Sequence, residues 1–99
     1  MHIISRKKLL EAGIQHSAIE RQLDSWYRIA KAAHWKSLEE VRKTYSHADG
    51  VVYKGKVYTV FNIAGNKFRL VTQIYYASGT ILVREVLPHA EYDRGGWKK

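Results

Sequence analysis

One short segment near the C-terminus carries most of the side chains that could move a proton. It follows the single proline of the chain and reads His89-Ala90-Glu91-Tyr92-Asp93. The imidazole of a histidine can take or give a proton near neutrality, because its ordinary pKa is about 6.5. Tyr92 could donate a proton or a hydrogen bond, and Asp93 could orient a neighbour. The segment is therefore a candidate for acid–base chemistry.

Two cations on an upstream segment could bind a phosphate. The turn Gly65-Asn66 opens a strand-like run in which Lys67 and Arg69 are separated by one residue. The guanidinium of Arg69 is a planar fork that matches phosphate oxygens, and Lys67 offers a point charge. Cleavage of RNA without a metal needs such cations, a base for the 2′-hydroxyl and an acid for the leaving oxygen. The two segments together suggest phosphodiester chemistry on nucleic acid.

Each of these side chains also has a structural interpretation. A single histidine on a loop is ordinarily solvated, and Tyr92 could simply pack its ring under the C-terminal end. Cations that alternate along a strand are usually a wetted surface. His89, Glu91 and Asp93 could also be metal ligands on an extended segment, but no second ligand cluster in the sequence completes such a site. We expect no metal ion and no cofactor.

Further side chains are candidates for contacting RNA rather than for performing chemistry. Tyr75 or Trp35 could stack on a base, as aromatic rings do with unpaired bases, and Lys36 lies beside Trp35. Arg84 falls between apolar residues of the last strand-like run by parity. That position is costly for a charge unless the side chain faces a cleft or a partner. Pairing with a carboxylate would also lower this cost.

The charge of the chain points to a polyanionic partner. Its 99 residues are enough for one domain, and 17 Lys and Arg against 9 Asp and Glu give a net charge of +8. Self-repulsion of this size destabilises the compact state, so a partner that neutralises it is expected. RNA, DNA, an anionic membrane surface or a strongly acidic protein would each do so.

The absence of cysteine and of long apolar runs excludes several classes of protein. Without cysteine there can be no disulfide framework, thiolate nucleophile or cysteine-based zinc site. The N-terminus lacks the apolar run of a signal peptide, and no stretch is long enough to span a bilayer. We expect a cytoplasmic protein with no membrane role.

The first half of the sequence predicts helices. Residues 2–5 predict a short strand, with Ser5 as the cap of a helix and Gly13 as its stop. The segments 17–20 and 37–40 have capping-box sequences, in which two otherwise unpaired amides are satisfied at a helix start. Apolar residues recur at helical spacing after the first of these, so a long amphipathic helix should follow it.

The second half predicts a β-meander. Strands are expected near residues 51–62, 67–76 and 80–87, with turns at 64–66 and 77–79. Connections this short make neighbouring strands antiparallel. The sequence therefore predicts an α+β domain spanning residues 1–99. Its N-terminal helices should cover one face of a small, mainly antiparallel sheet that also contains the short first strand.

Alternation along the middle strand separates the two faces of that sheet. One face should be core and carries Phe68, Leu70, Ile74 and Tyr76. The other carries Lys67, Arg69, Gln73 and Tyr75, with Val71 among them. The face without helices is therefore expected to be cationic, aromatic and solvated.

These motifs resemble a known family. Residues 61–71, FNIAGNKFRLV, together with residues 89–93, HAEYD, are similar to the HigB branch of the RelE-like toxins. Residues 33–37, AHWKS, match the Trp-containing linker that such chains carry before the third helix. The short opening strand and the order of the helices agree as well, so the resemblance covers nearly the whole chain.

The resemblance implies a RelE-like fold and an mRNA interferase of a bacterial type II toxin–antitoxin operon. Such an enzyme cuts mRNA without a metal, often in the ribosomal A site, and leaves a 2′,3′-cyclic phosphate or a 3′-phosphate end. Translation and growth stop as a result. A HigA-type antitoxin with a helix-turn-helix domain would neutralise it, and operator DNA would be bound only through that complex.

The resemblance also implies roles for particular residues. The catalytic positions of the family fall on Lys67 and Arg69 of the phosphate-binding strand, and on His89 and Tyr92 of the C-terminal segment. Arg84 aligns with a family arginine on the last strand, which makes it an RNA-binding candidate. Pro88 departs from the family, where small or hydroxylated residues are usual. Proline fixes φ and removes an amide donor, so it could change the approach of His89.

Two other classes of function are compatible with the same residues. A non-catalytic module could bind RNA or the ribosome and block translation by occupancy, which would leave transcripts whole. A toxin-like subunit without activity could also survive as a co-repressor, and its expression alone would then be harmless.

Overall fold

The sheet has five strands, and its order places the first strand beside the last. The computed structural model describes residues 1–98. The strands, in the spatial order β1-β5-β4-β3-β2, are β1 (His2–Ile4), β2 (Asp49–Tyr53), β3 (Lys56–Ile63), β4 (Phe68–Tyr75) and β5 (Thr80–Pro88). β1 is parallel to β5, and the other neighbouring strands are antiparallel. The predicted α+β class with a mainly antiparallel sheet is confirmed.

The helices divide between the two faces of the sheet. They are α1 (Arg6–Gln15), α2 (Glu20–Ala32), α3 (Leu38–Thr44) and the short α4 (His89–Asp93), with a 3₁₀ turn at Ser17–Ile19 before α2. The predicted helical spacing in α2 is confirmed, since Leu23, Trp26 and Ala30 are its buried residues. None of the helices in residues 1–98 has the length and apolar content that crossing a bilayer requires.

The helices α1, α2 and α3 cover one face of the sheet, which we call the helix side. Their buried side chains pack in one cluster with those of β3, β4 and β5, including Phe61, Leu70 and Ile81. These three sheet residues are fully buried. Large side chains of this kind contribute about 1.5–3 kcal/mol each on burial, so this cluster is the main source of stability.

The opposite face is covered by the end of the chain, and we call it the tail side. Its cluster contains Tyr58, Val60, Val71, Leu87 and Trp97, with Val51, Tyr53 and Tyr92 packed against it. The prediction of a solvated face is wrong for the middle of this surface, where Trp97 is only 8% exposed. The reason is that the residues after Pro88 fold back over the sheet, a contact between distant parts of the sequence that strand alternation does not reveal.

The predicted strand at 51–62 is two strands. β2 and β3 form a hairpin around Lys54 and Gly55, which have φ of 50° and 76°. Positive φ at both central residues is the geometry of a tight hairpin turn, and Asn-Gly is its usual sequence signal. Lysine rarely adopts it, so the turn was missed. The meander therefore has four strands rather than three.

Gly13 does not end the first helix. α1 continues to Gln15, and Gly13 is buried within it. A Cβ atom at Gly13 would lie 3.2 Å from Cγ of Glu20, so glycine permits the close approach of the start of α2. Ser5 does precede the helix as predicted, but it has φ of 68° and its side chain makes no capping hydrogen bond.

One of the two predicted capping boxes is confirmed for the Ser37 cap, while its second hydrogen bond is made one residue earlier than a capping box requires, at Lys36. Oγ of Ser37 accepts a hydrogen bond from the amide of Glu40 at 3.3 Å, and Oε1 of Glu40 accepts one from the amide of Lys36 at 3.1 Å. The box at 17–20 is wrong, because Ser17 begins a 3₁₀ turn and α2 starts without a side-chain cap.

Candidate active site

The strand pairing brings the two sequence segments with candidate chemistry to one end of the sheet. Arg69 on β4 lies opposite Leu87 on β5, and α4 begins two residues after Leu87. The amide of His89 then donates a hydrogen bond to the carbonyl of Lys67 at 2.9 Å. Pro88 lacks an amide donor, but its fixed φ of −60° leads directly into this helix. The C-terminal segment is therefore attached to the turn that precedes β4.

The residues 89–93 are helical, which changes how their side chains are grouped. In α4, His89 and Asp93 are one turn apart, and Nε2 of His89 lies 3.1 Å from Oδ2 of Asp93. The metal interpretation assumed an extended segment with alternate ligands, and the helix removes that arrangement. Within residues 1–98, no three His, Asp or Glu side chains are grouped so that they could share a metal ion.

His89 has one ring nitrogen that its surroundings do not satisfy. Its side chain is 40% exposed, but Nδ1 itself is covered and has no hydrogen-bond partner among the residues that the structure describes. A carboxylate only accepts, so Nε2 carries the proton in the contact with Asp93. Neutral His89 then has its lone pair on Nδ1, so this nitrogen is the one that remains able to accept a proton.

Arg69 is held at the entrance of this segment by the turn beside it. Its Nη2 donates to Oδ1 of Asn66 at 2.7 Å, and Nη1 donates to the carbonyls of Asn66 and Phe68 at 3.3 Å each. Its Cζ lies 5.9 Å from the ring centroid of Tyr92. These contacts fix the direction of the guanidinium before any anion arrives, which lowers the cost of binding one.

Tyr92 connects α4 to the tail-side cluster. Its ring stacks on the indole of Trp97 with the centroids 5.8 Å apart and the planes 8° from parallel. Burial raises the pKa of the Tyr92 phenol, the charges of Asp49 and Asp93 raise it further, and Arg69 lowers it. The phenol is therefore protonated at neutral pH, so it can donate a hydrogen bond or a proton but cannot act as a base.

Lys67 and Arg84 are two further cations whose side chains are exposed. The Lys67 side chain is exposed in the turn before β4, near Arg69. Arg84 is the extra residue of a β-bulge, because Val71 pairs with Glu85 while the next residue of β4 pairs with Val83. The bulge resolves the parity problem seen in the sequence: Arg84 is exposed and lines a hollow beside Trp97 on the tail side.

The remaining RNA-binding candidates lie at the other end of the sheet. Tyr75 is the last residue of β4, six residues beyond Arg69, which corresponds to about 20 Å along the strand. Its ring is 48% exposed. Lys36 is exposed and lines a hollow with the residues of the 76–79 turn. Neither side chain is close to His89.

Trp35 does not fit its proposed role. It is only 5% exposed and belongs to the helix-side core, where its indole stacks on Phe61 with the centroids 6.3 Å apart. A base therefore has no free face of this ring on which to stack. Trp35 therefore holds the linker between α2 and α3 against the core. Its neighbour Lys36 is exposed, and it is the cation of this segment.

Sequence reasoning missed two residues of the site. Asp49 lies outside the predicted strand at 51–62, but it is the first residue of β2 and its charge acts on Tyr92. Trp97 was given no role, although it stacks on Tyr92. The available signal was a large aromatic residue directly after Gly95-Gly96 in a polar terminus, since such a side chain must find a place to be buried.

Comparison with known proteins agrees with this fold. Residues 19–95 match the model of the HigB toxin family, described as the RelE-like toxic component of a toxin–antitoxin system. The mRNA interferase HigB of Escherichia coli O6:H1 is 31% identical over 94 residues, which cover 95% of this chain and 90% of that protein. The mRNA interferase toxin HigB of Escherichia coli K12 is 30% identical over 93 residues, 94% of this chain and 88% of that protein.

The fold is that of a RelE-like toxin. The chain belongs to the HigB family, as the resemblance in its sequence predicted. Membership in a toxin–antitoxin family implies an antitoxin as partner and RNA as target. The matched segment includes Arg69, His89 and Tyr92.

Proposed function

We propose that this toxin is an endoribonuclease that cuts mRNA without a metal ion, during translation, and so stops protein synthesis and growth. The names of its relatives describe them as mRNA interferases. The observation that carries the proposal is the group at the start of β4. There, a histidine paired with Asp93 lies on the same short helix as Tyr92, whose ring is 5.9 Å from the guanidinium carbon of Arg69.

His89 acts as the base in the first half of the reaction. Its Nδ1 takes the proton of the 2′-hydroxyl, and O2′ then forms a bond to the adjacent phosphorus. The resulting imidazolium is stabilised by the carboxylate of Asp93 through Nε2. This use of His89 also explains an unpartnered buried nitrogen, which is otherwise unfavourable in a folded protein.

Arg69 and Tyr92 act on the phosphorane-like transition state. Arg69, assisted by the point charge of Lys67, binds the non-bridging oxygens as their negative charge grows. The bond from phosphorus to O5′ breaks, and protonated Tyr92 gives its proton to this leaving oxygen. The proton taken up by His89 then returns to the Tyr92 phenolate through solvent, which restores both side chains. The products are a 2′,3′-cyclic phosphate on one fragment and a 5′-hydroxyl on the other, so atoms and charges balance.

The partners in the cell follow from this activity and from the family. We assign mRNA on the ribosome as the substrate and the cytoplasm as the location. A HigA-type antitoxin with a helix-turn-helix domain neutralises the toxin, and operator DNA is contacted only through the complex. The net charge of +8 supports an RNA substrate, because a cationic surface accelerates the approach of a polyanion.

The test is the chemistry of the RNA ends. The chain is expressed in cells with and without its antitoxin, and primer extension maps breaks in several transcripts. Ligation of the fragments with and without prior phosphorylation then distinguishes 5′-hydroxyl from 5′-phosphate ends. The proposal predicts discrete breaks that end in 5′-hydroxyls and disappear with the antitoxin. Whole transcripts in growth-arrested cells would instead support a module that blocks translation by occupancy. Breaks that end in 5′-phosphates would contradict the 2′-hydroxyl mechanism.

A further inference from the structure

A second hollow borders Trp97 on the tail side, apart from the residues assigned to the cleavage step. Its volume is about 250 Å³, and it is lined by Lys8, Tyr53, Tyr58, Arg84, Glu85 and Trp97. Sites for drug-sized ligands are usually about 300–1,000 Å³, so this hollow suits a smaller group. A single nucleotide, with one flat base and one anion, has the matching chemistry.

The inner wall of the hollow is aromatic and already fixed in place. Tyr58 and Tyr53 meet the Trp97 indole edge to face, with centroids 5.0 Å and 5.7 Å away and interplanar angles of 66° and 65°. Tyr58 and Trp97 are almost fully buried, so they support the wall from behind, and the half-buried Tyr53 is the one of the three rings that a ligand can meet. An accessible aromatic ring binds unpaired bases irrespective of sequence.

The rim of the hollow brings two cations together from distant parts of the chain. Arg84 is presented by the β-bulge, and Lys8 comes from α1. Nζ of Lys8 donates to the backbone carbonyl of Arg84 at 2.8 Å, so the lysine is fixed beside the arginine. Bulges often redirect a side chain next to a functional site. The two cations outnumber the single carboxylate of the lining, that of Glu85, so the rim favours an anion, and a phosphate fits this requirement.

The hollow is continuous with the cleavage site through one side chain. The indole of Trp97 stacks on Tyr92 and also lines the hollow. Arg84 lies three residues before Leu87, the strand partner of Arg69, which places it about 10 Å farther along the sheet. A single strand that crosses the tail side would therefore contact both places in succession.

We propose that this hollow binds the nucleotide that flanks the scissile phosphate, with its base against Tyr53 and its phosphate at Lys8 and Arg84. The inference rests on the proposed RNA cleavage and adds a subsite to it. Because the wall accepts a base by stacking, this subsite contributes affinity and register to the RNA. It should therefore influence which bonds are cut.

The test separates binding from cleavage. A 2′-O-methyl RNA copy of a mapped cleavage site lacks the attacking hydroxyl and cannot be cut. Its affinity for the purified toxin is measured by fluorescence anisotropy between about 50 and 200 mM salt. Over this range the affinity depends strongly on the number of phosphate contacts. Lys8→Ala is compared with Lys7→Ala, which removes an exposed lysine of the same helix that does not line the hollow.

The subsite predicts a specific difference between these variants. Lys8→Ala should weaken binding and lower the slope of log affinity against log salt by about 0.7, the value for one lost contact to a single strand. Lys7→Ala should change neither. Tyr53→Leu, which keeps an apolar side chain in the tail-side cluster, should weaken binding about 5-fold or more without changing the slope.

Two results together would overturn the subsite and leave the proposed function standing. They are equal salt slopes of the affinity for Lys8→Ala and Lys7→Ala, and cleavage of the unmodified RNA by both variants at the wild-type rate. Failure of the wild-type toxin to cut RNA in cells would instead remove the proposed function, and the subsite with it. The two failures are therefore distinguishable.

Discussion

The two faces of the sheet bury their side chains in different ways. On the helix side, Phe61 and Leu70 are enclosed by three helices in an apolar cluster. On the tail side, a smaller apolar cluster is bordered by Arg69, Arg84 and the half-buried Tyr92. The first face supplies most of the apolar burial that holds the fold together. The second keeps Arg69 and Tyr92 partly desolvated, where electrostatic interactions are stronger than in water.

This difference implies that neighbouring residues of β4 have separate roles. Arg69 and Leu70 are adjacent in sequence, but alternation places them on opposite faces. Substitutions on the helix side should lower stability first, and they should reduce activity only through unfolding. Substitutions of Arg69 or His89 on the other face should lower activity while the fold persists.

The largest expected effect on activity follows from removing His89, the general base of the proposed reaction. His89→Ala should reduce RNA cleavage about 10²- to 10⁴-fold, the usual contribution of a positioned acid or base. Primer extension and growth after induction measure it. His34→Ala, a change at an exposed histidine in the linker between α2 and α3, is the matched control and should cut RNA normally. Equal activity of both variants would exclude His89 from the reaction.

The largest expected effect on stability lies on the helix side. Leu70→Ala should lower the free energy of unfolding by about 2–5 kcal/mol, because Leu70 is fully buried and its loss leaves a cavity. Leu10→Ala removes the same atoms from a side chain that is 55% exposed, and it should cost about 0.5 kcal/mol or less. Urea unfolding of the two variants measures the difference. Similar losses would mean that the helix side is not the main core.

The smallest expected effect concerns Tyr92 at high pH. Burial raises the pKa of its phenol above the ordinary value of 10, so the unfolded chain loses this proton first as the pH increases. Its contribution to stability is complete below about pH 10 and is lost as the pH rises through the higher pKa of the folded state. The free energy of unfolding of Tyr92→Phe, measured with urea, should therefore decline less steeply above about pH 10 than that of the wild type.

A residual alkaline decline should remain in that variant, because burial also raises the pKa of Tyr45 and Tyr76 on the helix side. Identical alkaline slopes for wild-type and Tyr92→Phe would show that the phenol is not desolvated by the tail-side cluster.

Local patterns in the sequence were sufficient for most of the helix side. The spacing of Leu23, Trp26 and Ala30 identified the buried stripe of α2, and Ser37 with Glu40 marked the start of α3. Alternation along β4 correctly assigned its two faces. These features depend on interactions within one element, which is why periodicity and capping rules reveal them.

The tail side could be predicted only in part, because its geometry depends on contacts between distant residues. The residue types of Arg69, His89 and Tyr92 suggested chemistry, but nothing local indicated that Trp97 would stack on Tyr92. The bulge at Arg84 changes side-chain parity by one residue, which no alternation rule anticipates. The hairpin at Lys54 was missed for a similar reason, since a lysine adopts a conformation more typical of glycine or asparagine.

The most direct test of this account is the rate of RNA cleavage per folded molecule for Arg69→Ala and for the matched change Arg28→Ala, at an exposed arginine of α2. We predict that Arg69→Ala unfolds at nearly the wild-type urea concentration and cuts RNA about 10²- to 10³-fold more slowly, because a cation at the developing phosphorane is lost. Arg28→Ala should cut at the wild-type rate. Wild-type cleavage by folded Arg69→Ala would contradict the assignment of chemistry to the tail side of the sheet.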